Sequence, residues 1–235
     1  NAPVENCANL AFSFLTGAMD EGFYRNKLTG YTKTAFDSLQ AKYAGRLMNH
    51  SADSLFRHRI ELIPNCGHSI DYSLTTPWLK NYKRNPYPHT FLWEDYPMDG
   101  QHRLGFYNLH VLQRPKAADG LKDTSGEDRD YYEMDIKDNV IRLSVKKVTY
   151  QTVERDPVYG IDLKFAKSYH PTSGGKWKIY LNDQLVDMNK PITVFINDRK
   201  VFEGKIVPRM EDMITSCMEY FDPCRVFPAS VDVAL

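Results

Sequence analysis

An apolar run, a stretch with helical periodicity and a second apolar run follow one another within the first 63 residues of the chain. Residues 10–16, closed by Gly17, and residues 58–63 each have the length and composition of a buried strand. Over residues 24–43, apolar side chains recur at every third or fourth position, which is the spacing of one helix face. This strand–helix–strand unit predicts two parallel strands joined by a right-handed crossover.

The pattern changes at the segment Asn85-Pro86-Tyr87-Pro88, which excludes a continuous helix and follows a short helix expected over residues 77–83. We therefore divide the chain into residues 3–87 and residues 88–235. The second part contains short β-branched or aromatic runs separated by turn residues, a pattern typical of an antiparallel β-sandwich. These runs cover residues 90–94, 104–112, 140–145, 160–166, 177–181, 192–196 and 200–207.

The second part is also expected to contain a charged surface loop over residues 117–130 and to end in an amphipathic helix over residues 208–221. Asn197-Asp198, between the last two runs, has the chemistry of a hairpin turn. The predicted fold class is thus α+β, with a short parallel piece followed by an antiparallel sandwich and a C-terminal helix.

Composition excludes several classes of protein. The 235 residues contain 30 Lys+Arg and 30 Asp+Glu, so the chain lacks the basic field that nucleic-acid binding usually needs. An apolar fraction of 42% is too high for a disordered chain, and no apolar run approaches the roughly 18 residues of a membrane span. The four cysteines form no Cys-x-x-Cys pair, so we predict no structural metal site. Whether Cys217 and Cys224, on either side of a helix end, form a disulfide stays open at this point.

Two residues at predicted strand ends are candidates for chemistry. Asp20 follows the first strand and His68 follows the second, and catalytic groups of parallel sheets gather just beyond the carboxyl ends of the strands. Taken singly, each has an ordinary explanation, because Asp20 or Glu21 can cap the following helix and His68 can be a solvated loop residue. Taken together, an acid and a histidine after neighbouring parallel strands can meet as the orienting half of a Ser-His-Asp triad.

Several short motifs around these residues resemble the last two strand–loop units of an α/β-hydrolase. The resemblance is to secreted enzymes of the dienelactone-hydrolase, polyhydroxybutyrate-depolymerase and prolyl-oligopeptidase type that have a β-rich C-terminal extension. The motifs of the hydrolase part are Gly17-Ala18-Met19-Asp20, Tyr24-Arg25-Asn26-Lys27 and Pro64-Asn65-Cys66-Gly67-His68. Those that resemble the join between the two parts are Trp78-Leu79 and Arg84-Asn85-Pro86-Tyr87-Pro88. Those of the extension are Leu185-Val186-Asp187, Lys190-Pro191-Ile192-Thr193-Val194 and Val201-Phe202-Glu203-Gly204-Lys205.

The resemblance implies that Asp20 is the triad acid and His68 the general base of a serine esterase or peptidase-like enzyme acting on ester or amide bonds, without a cofactor. The sequence contains no G-x-S-x-G, so the nucleophile and its oxyanion donor are missing and the chain alone is expected to be inactive. The missing N-terminal half of the hydrolase would be its partner, and the resembled enzymes are commonly secreted or periplasmic.

We interpret the chain as a C-terminal fragment. Asn1-Ala2 has the form of an expression-tag remnant, so natural sequence is expected to begin near Pro3. In a truncated sheet the strand at residues 10–16 would have an uncovered edge, so we predict that the edge pairs with a second copy, giving a dimer, or is covered by a loop.

The alternative function is a β-sandwich binding or interaction module, for example one that binds carbohydrate, in which Asp20 and His68 have no catalytic role. Its candidate sugar-stacking residues are Tyr131, Tyr132, Tyr159, Tyr169 and Trp177, although such aromatic residues are equally ordinary in a β core. Ser69 has no nucleophile elbow, and His89, His102 and His110 lack the spacing of metal ligands. Asp95, Asp99 and Asp119 do not form a regular calcium-binding loop.

Overall fold

A computed structural model of the chain describes residues 3–46, 54–118 and 128–235. The fold is α+β and mainly β. The strands are β1 (Phe12–Gly17), β2 (His58–Ile63), β3 (Thr90–Asp95), β4 (Gly105–Phe106), β5 (Leu109–Gln113), β6 (Lys116–Ala117), β7 (Arg129–Lys137), β8 (Val140–Arg155), β9 (Asp162–His170), β10 (Thr172–Ser173), β11 (Lys176–Leu181), β12 (Ile192–Ile196), β13 (Arg199–Gly204) and β14 (Ala229–Ala234). The helices are α1 (Arg25–Lys42), α2 (Thr75–Leu79) and α3 (Met210–Tyr220).

The structure divides into two compact units, of which the first comprises Asn1–Asn85 together with Tyr150–Lys167. Its strands β1 and β2 pair in parallel with Phe12 opposite His58 and Gly17 opposite Ile63, as the sequence predicts. Helix α1 packs on this pair because its apolar face meets the apolar side chains of β1. Phe36 stacks on Phe12 with ring centroids 4.8 Å apart, and the Thr16 and Thr29 hydroxyls are 2.8 Å apart.

The segment Tyr150–Lys167, which forms the ends of β8 and β9 and the turn between them, groups with the first unit although the sequence division assigns it to the second part. Polar contacts explain this grouping. Glu154 accepts a hydrogen bond from Tyr31 at 2.8 Å and is also paired with Lys27. Lys167 is 2.6 Å from Glu5, which lies in the short 3₁₀ helix Val4–Cys7.

The second unit comprises Pro86–Thr149 and Ser168–Leu235. It contains a six-stranded sheet in the order β13-β12-β8-β7-β3 with β9 paired to β8, and a four-stranded sheet in the order β14-β11-β5-β4. Side chains from both sheets form one hydrophobic core that includes Trp177, Tyr132 and Leu143. Asn197 and Asp198 have φ values of 47° and 65° and connect antiparallel β12 and β13, as expected for this hairpin.

Two expectations for the second unit need correction. The six-stranded sheet is not purely antiparallel, because β12 pairs with β8 in parallel. The last element is strand β14 rather than a helix, since the chain continues after α3 and adds a strand alongside β11. The alternating residues of β14 are an ordinary strand signal that the interpretation of the sequence overlooked.

Strand β7 was also missed. It begins inside the segment expected to be a charged loop over residues 117–130, of which residues 119–127 lie outside the described residues. The strand shows no clear alternation of apolar and polar residues, because the charged side chains at its start are buried and paired. The Arg129 guanidinium is fully buried and lies 2.7 Å from the carboxylate of Glu94.

Candidate functional site

The loops after β1 and β2 are joined through their backbones. Ala18 N–H donates to Ile63 C=O and Met19 N–H donates to Cys66 C=O, both at 2.9 Å. The approach requires a glycine at the end of β1. A Cβ atom on Gly17 would lie 2.0 Å from the carbonyl oxygen of Gly67 and 2.3 Å from that of Cys66. The absence of a side chain at this position therefore lets the two strand ends come together.

This approach places the two predicted site residues in contact. The Nδ1 atom of His68 is 2.9 Å from Oδ2 of Asp20. Asp20 is buried, whereas the His68 side chain is 76% exposed. Because Nδ1 is held by the carboxylate, Nε2 is the nitrogen that remains available, and no side chain in the described parts of the chain contacts it. The arrangement is a buried acid that orients an accessible imidazole.

Arg25 holds the second oxygen of the carboxylate. Its Nη1 atom donates to Oδ1 of Asp20 at 3.0 Å, so each carboxylate oxygen has a side-chain partner. The hydrogen bond with His68 and, after it, the contact with Arg25 lower the pKa of Asp20, against the opposing effect of partial burial. Asp20 is therefore ionised at neutral pH and can stabilise a positive charge on His68.

The turn between β1 and α1 fixes the position of Asp20. The Asp20 N–H donates to Gly17 C=O at 3.0 Å, and the Asp20 carbonyl accepts from Asn26 N–H at 3.1 Å. The side chain of Asn26 donates to Ala18 C=O at 3.0 Å. The capping interpretation of Asp20 or Glu21 is wrong, because α1 begins after Tyr24 and has no side-chain cap.

The tip of the β8–β9 hairpin supports the same turn, which the sequence did not indicate. Phe23 and Tyr24 have left-handed φ values of 51° and 59°, an uncommon backbone for aromatic residues. The Tyr24 hydroxyl donates to the buried carboxylate of Asp156. The Phe23 ring lies between Tyr159, at a centroid distance of 5.3 Å, and the Arg25 guanidinium, also at 5.3 Å.

Other acid–histidine pairs occur in the chain, so contact alone does not identify a site. His102 is 2.6 Å from Asp95, and His110 is 2.6 Å from Glu219. Their side chains are only 20% and 18% exposed, compared with 76% for His68. His68 is the member of this set that combines a buried acid with an imidazole open to solvent at the carboxyl end of a parallel strand.

Two of the five aromatic candidates, Tyr159 and Tyr169, are 61% and 43% exposed and contact the rings of Phe23 and Tyr131, respectively. Tyr131, Tyr132 and Trp177 are buried in the second unit, so they cannot present a surface for stacking sugars. His89 bonds to the Gln184 carbonyl at 2.8 Å. The four cysteines are free, including Cys217 and Cys224.

Residues 3–46, 54–118 and 128–235 contain neither a metal-binding cluster nor a membrane-spanning helix. No group of three or more His, Cys, Asp or Glu side chains in them is arranged to hold a metal ion. None of their helices is both long and apolar enough to span a membrane.

Comparison of the chain with protein-family models, with curated proteins and with solved structures found no match. The relationship to α/β-hydrolases therefore stays a prediction.

Proposed function

We propose that Asp20 and His68 are the acid and the general base of a serine-type hydrolase that cleaves ester or amide bonds. The observation that supports the proposal is the hydrogen bond of 2.9 Å between a buried carboxylate and Nδ1 of an exposed imidazole. In a triad, the acid contacts Nδ1 so that Nε2 faces the nucleophile. The pair lies at the ends of adjacent parallel strands, where this chemistry is usually found in α/β sheets.

The proposed mechanism assigns one task to each side chain. Nε2 of His68 accepts the proton of a serine hydroxyl as the hydroxyl attacks the carbonyl carbon, and then returns that proton to the leaving group. Asp20 keeps the neutral ring protonated on Nδ1 and stabilises the imidazolium that forms after proton transfer. Arg25 holds the other carboxylate oxygen and limits rotation of Asp20.

The nucleophile would come from polypeptide outside these 235 residues, because the chain contains no G-x-S-x-G. Loss of a nucleophile lowers the rate by several powers of ten even when the other groups remain. The chain by itself is thus expected to be inactive. In keeping with the resembled enzymes, we propose that the parent protein is exported.

The chain alone permits a first test. We expect the neutral imidazole of His68 to be protonated on Nδ1, and nitrogen chemical shifts in a long-range ¹H–¹⁵N NMR experiment report the tautomer. Asp20→Asn should abolish this preference. Asp37 lies on α1 and contacts His58 of β2, so Asp37→Asn should leave the tautomer of His68 unchanged. A wild-type His68 protonated mainly on Nε2 would argue against the triad role.

A longer polypeptide that contains a strand–G-x-S-x-G–helix before Pro3 permits the second test. A fluorophosphonate should label its serine, and Asp20→Asn should lower ester hydrolysis by roughly 10⁴-fold. His68→Ala should lower it at least as much, and Asp37→Asn should have little effect. If no such segment precedes Pro3, or if a folded longer protein takes no label, the β-rich binding module becomes the better explanation.

A further inference from the structure

Helix α3 has its apolar side facing solvent. In most surface helices the apolar side faces the core, but here the residues exposed to solvent include Met and Phe side chains. Met210 is 71% exposed, Met218 is 64% exposed and Phe221 is 89% exposed. The exposed residues recur at helical spacing and form what we call the apolar stripe: Met210, Met213, Ile214, Cys217, Met218 and Phe221.

The polar side of α3 is fixed to the four-stranded sheet, so the orientation of the stripe is determined by specific bonds. Asp212 is buried, accepts from Ser230 at 2.7 Å and is paired with Arg209 at 2.9 Å. Ser216 is also buried, and its hydroxyl accepts from Phe227 N–H at 2.9 Å. Rotating the helix to bury the stripe would break the bonds of Asp212 to Ser230 and of Ser216 to Phe227.

We propose that the apolar stripe binds the same stripe of a second copy of this chain, with the two α3 helices antiparallel. The sequence positions of the stripe residues are symmetric about a point between Thr215 and Ser216, near the middle of α3, with Phe221 as the residue that directly follows the helix. A two-fold axis at that point therefore brings every stripe residue opposite another stripe residue. The resulting pairs are Met210 with Phe221, Met213 with Met218, and Ile214 with Cys217.

The exposed area and the charge pattern support this partner. The stripe exposes on the order of 700 Å² per copy, close to the roughly 800 Å² per partner of a standard interface. Helix α3 contains three acidic residues and no Lys or Arg, which opposes binding to an anionic membrane.

The experiment measures self-association of the full chain by sedimentation equilibrium. We expect a monomer–dimer equilibrium, and we expect Met218→Glu to raise its dissociation constant at least tenfold because the dimer would bury an unpaired carboxylate. Met98→Glu is the matched control, since Met98 is 74% exposed and lies outside α3. It should leave the equilibrium unchanged.

A cross-linking measurement tests the geometry. The proposed axis passes close to Cys217, so in the Cys224→Ser chain a short bis-maleimide should join two copies, and a further Cys217→Ser change should abolish the product. A chain that stays monomeric up to high micromolar concentration overturns the proposal. A dimer that Met218→Glu does not weaken also overturns it, because such a dimer would form through the edge of β1 or another surface. Binding of a monomeric chain to neutral lipid vesicles that depends on Met218 would overturn it as well.

Discussion

The carboxylate of Asp20 accepts two side-chain hydrogen bonds, one on each oxygen, from groups that follow it in the chain by five and 48 residues. The local donor, Arg25, belongs to the first turn of α1, whereas His68 comes from the loop after β2. The second contact depends on the pairing of β1 with β2 and gives the carboxylate an orienting role. The same residue in a capping role would have bonded to backbone N–H groups.

The pKa of Asp20 gives a prediction at this scale. The contacts with His68 and Arg25 lower it below the ordinary value of 3.8. The stabilisation that the ionised carboxylate provides is therefore present above pH 4 and is lost as the pH falls through the lower pKa of the folded state. Carboxyl ¹³C NMR should show a midpoint below 3.8. His68→Ala should raise that midpoint more than Arg25→Gln does, and an unchanged midpoint in His68→Ala would contradict the assigned cause.

At the scale of elements, the site depends on how closely two strand ends approach. Strand β1 pairs with β2 and, among the described residues, with no other strand. Phe14 on β1 is 43% exposed. Pairing of the other edge of β1 with a second copy, or the covering of that edge by a loop, stays a prediction. The contact of Asp20 with His68 requires only the pair that is present.

Gly17→Ala should separate these strand ends. The new Cβ would meet two backbone carbonyl oxygens at 2.0 and 2.3 Å, so the loops must move apart. We expect a loss of about 1–3 kcal/mol in the free energy of unfolding, measured by urea denaturation, together with loss of the His68 tautomer preference. The matched change Gly30→Ala lies in α1 with open space around its Cβ, and should instead stabilise by about 0.5–1 kcal/mol. Equal effects of the two changes would show that the close approach is unimportant.

At the scale of the whole molecule, the chain contributes to its first unit twice. After Asn1–Asn85 it forms strands β3 to β7 and the first part of β8, which belong to the second unit, before Tyr150–Lys167 completes the first. The returning hairpin supplies Asp156 to the Tyr24 hydroxyl and Glu154 to Lys27 and Tyr31. Residues beyond position 149 therefore support the turn that contains Asp20.

Asp156→Asn should loosen that turn. The amide has one acceptor oxygen in place of the two that bond to the Tyr24 hydroxyl and to the Tyr159 N–H. We expect amide hydrogen exchange in the first turn of α1 to accelerate by about tenfold, with β3 and β7 unchanged. Asp162→Asn, in the same hairpin but bonded only to the exposed Arg155, is the control and should have no such effect. Unchanged exchange in Asp156→Asn would show that the hairpin does not hold the turn.

Several elements of the fold follow from signals that are local in the sequence. The apolar runs and the glycine after β1 predicted the parallel pair, and Asn197-Asp198 predicted a hairpin, because backbone preference and apolar periodicity act over a few residues. The sequence also placed Asp20 and His68 at neighbouring strand ends, since the carboxyl ends of parallel strands share one edge.

Other features of the fold depend on contacts between residues that are far apart in the chain, and local patterns do not predict them. The charged residues at the start of β7 can lie in a buried strand because Arg129 pairs with Glu94. The hydrogen bonds of Asp212 with Ser230 and of Ser216 with Phe227 orient α3 so that its apolar side faces solvent. Contacts of Asp156 drew the β8–β9 hairpin tip into the first unit. In each case the feature depends on a hydrogen bond or ion pair between residues that are not neighbours in the sequence. A pattern read over a few residues contains no information about such a partner.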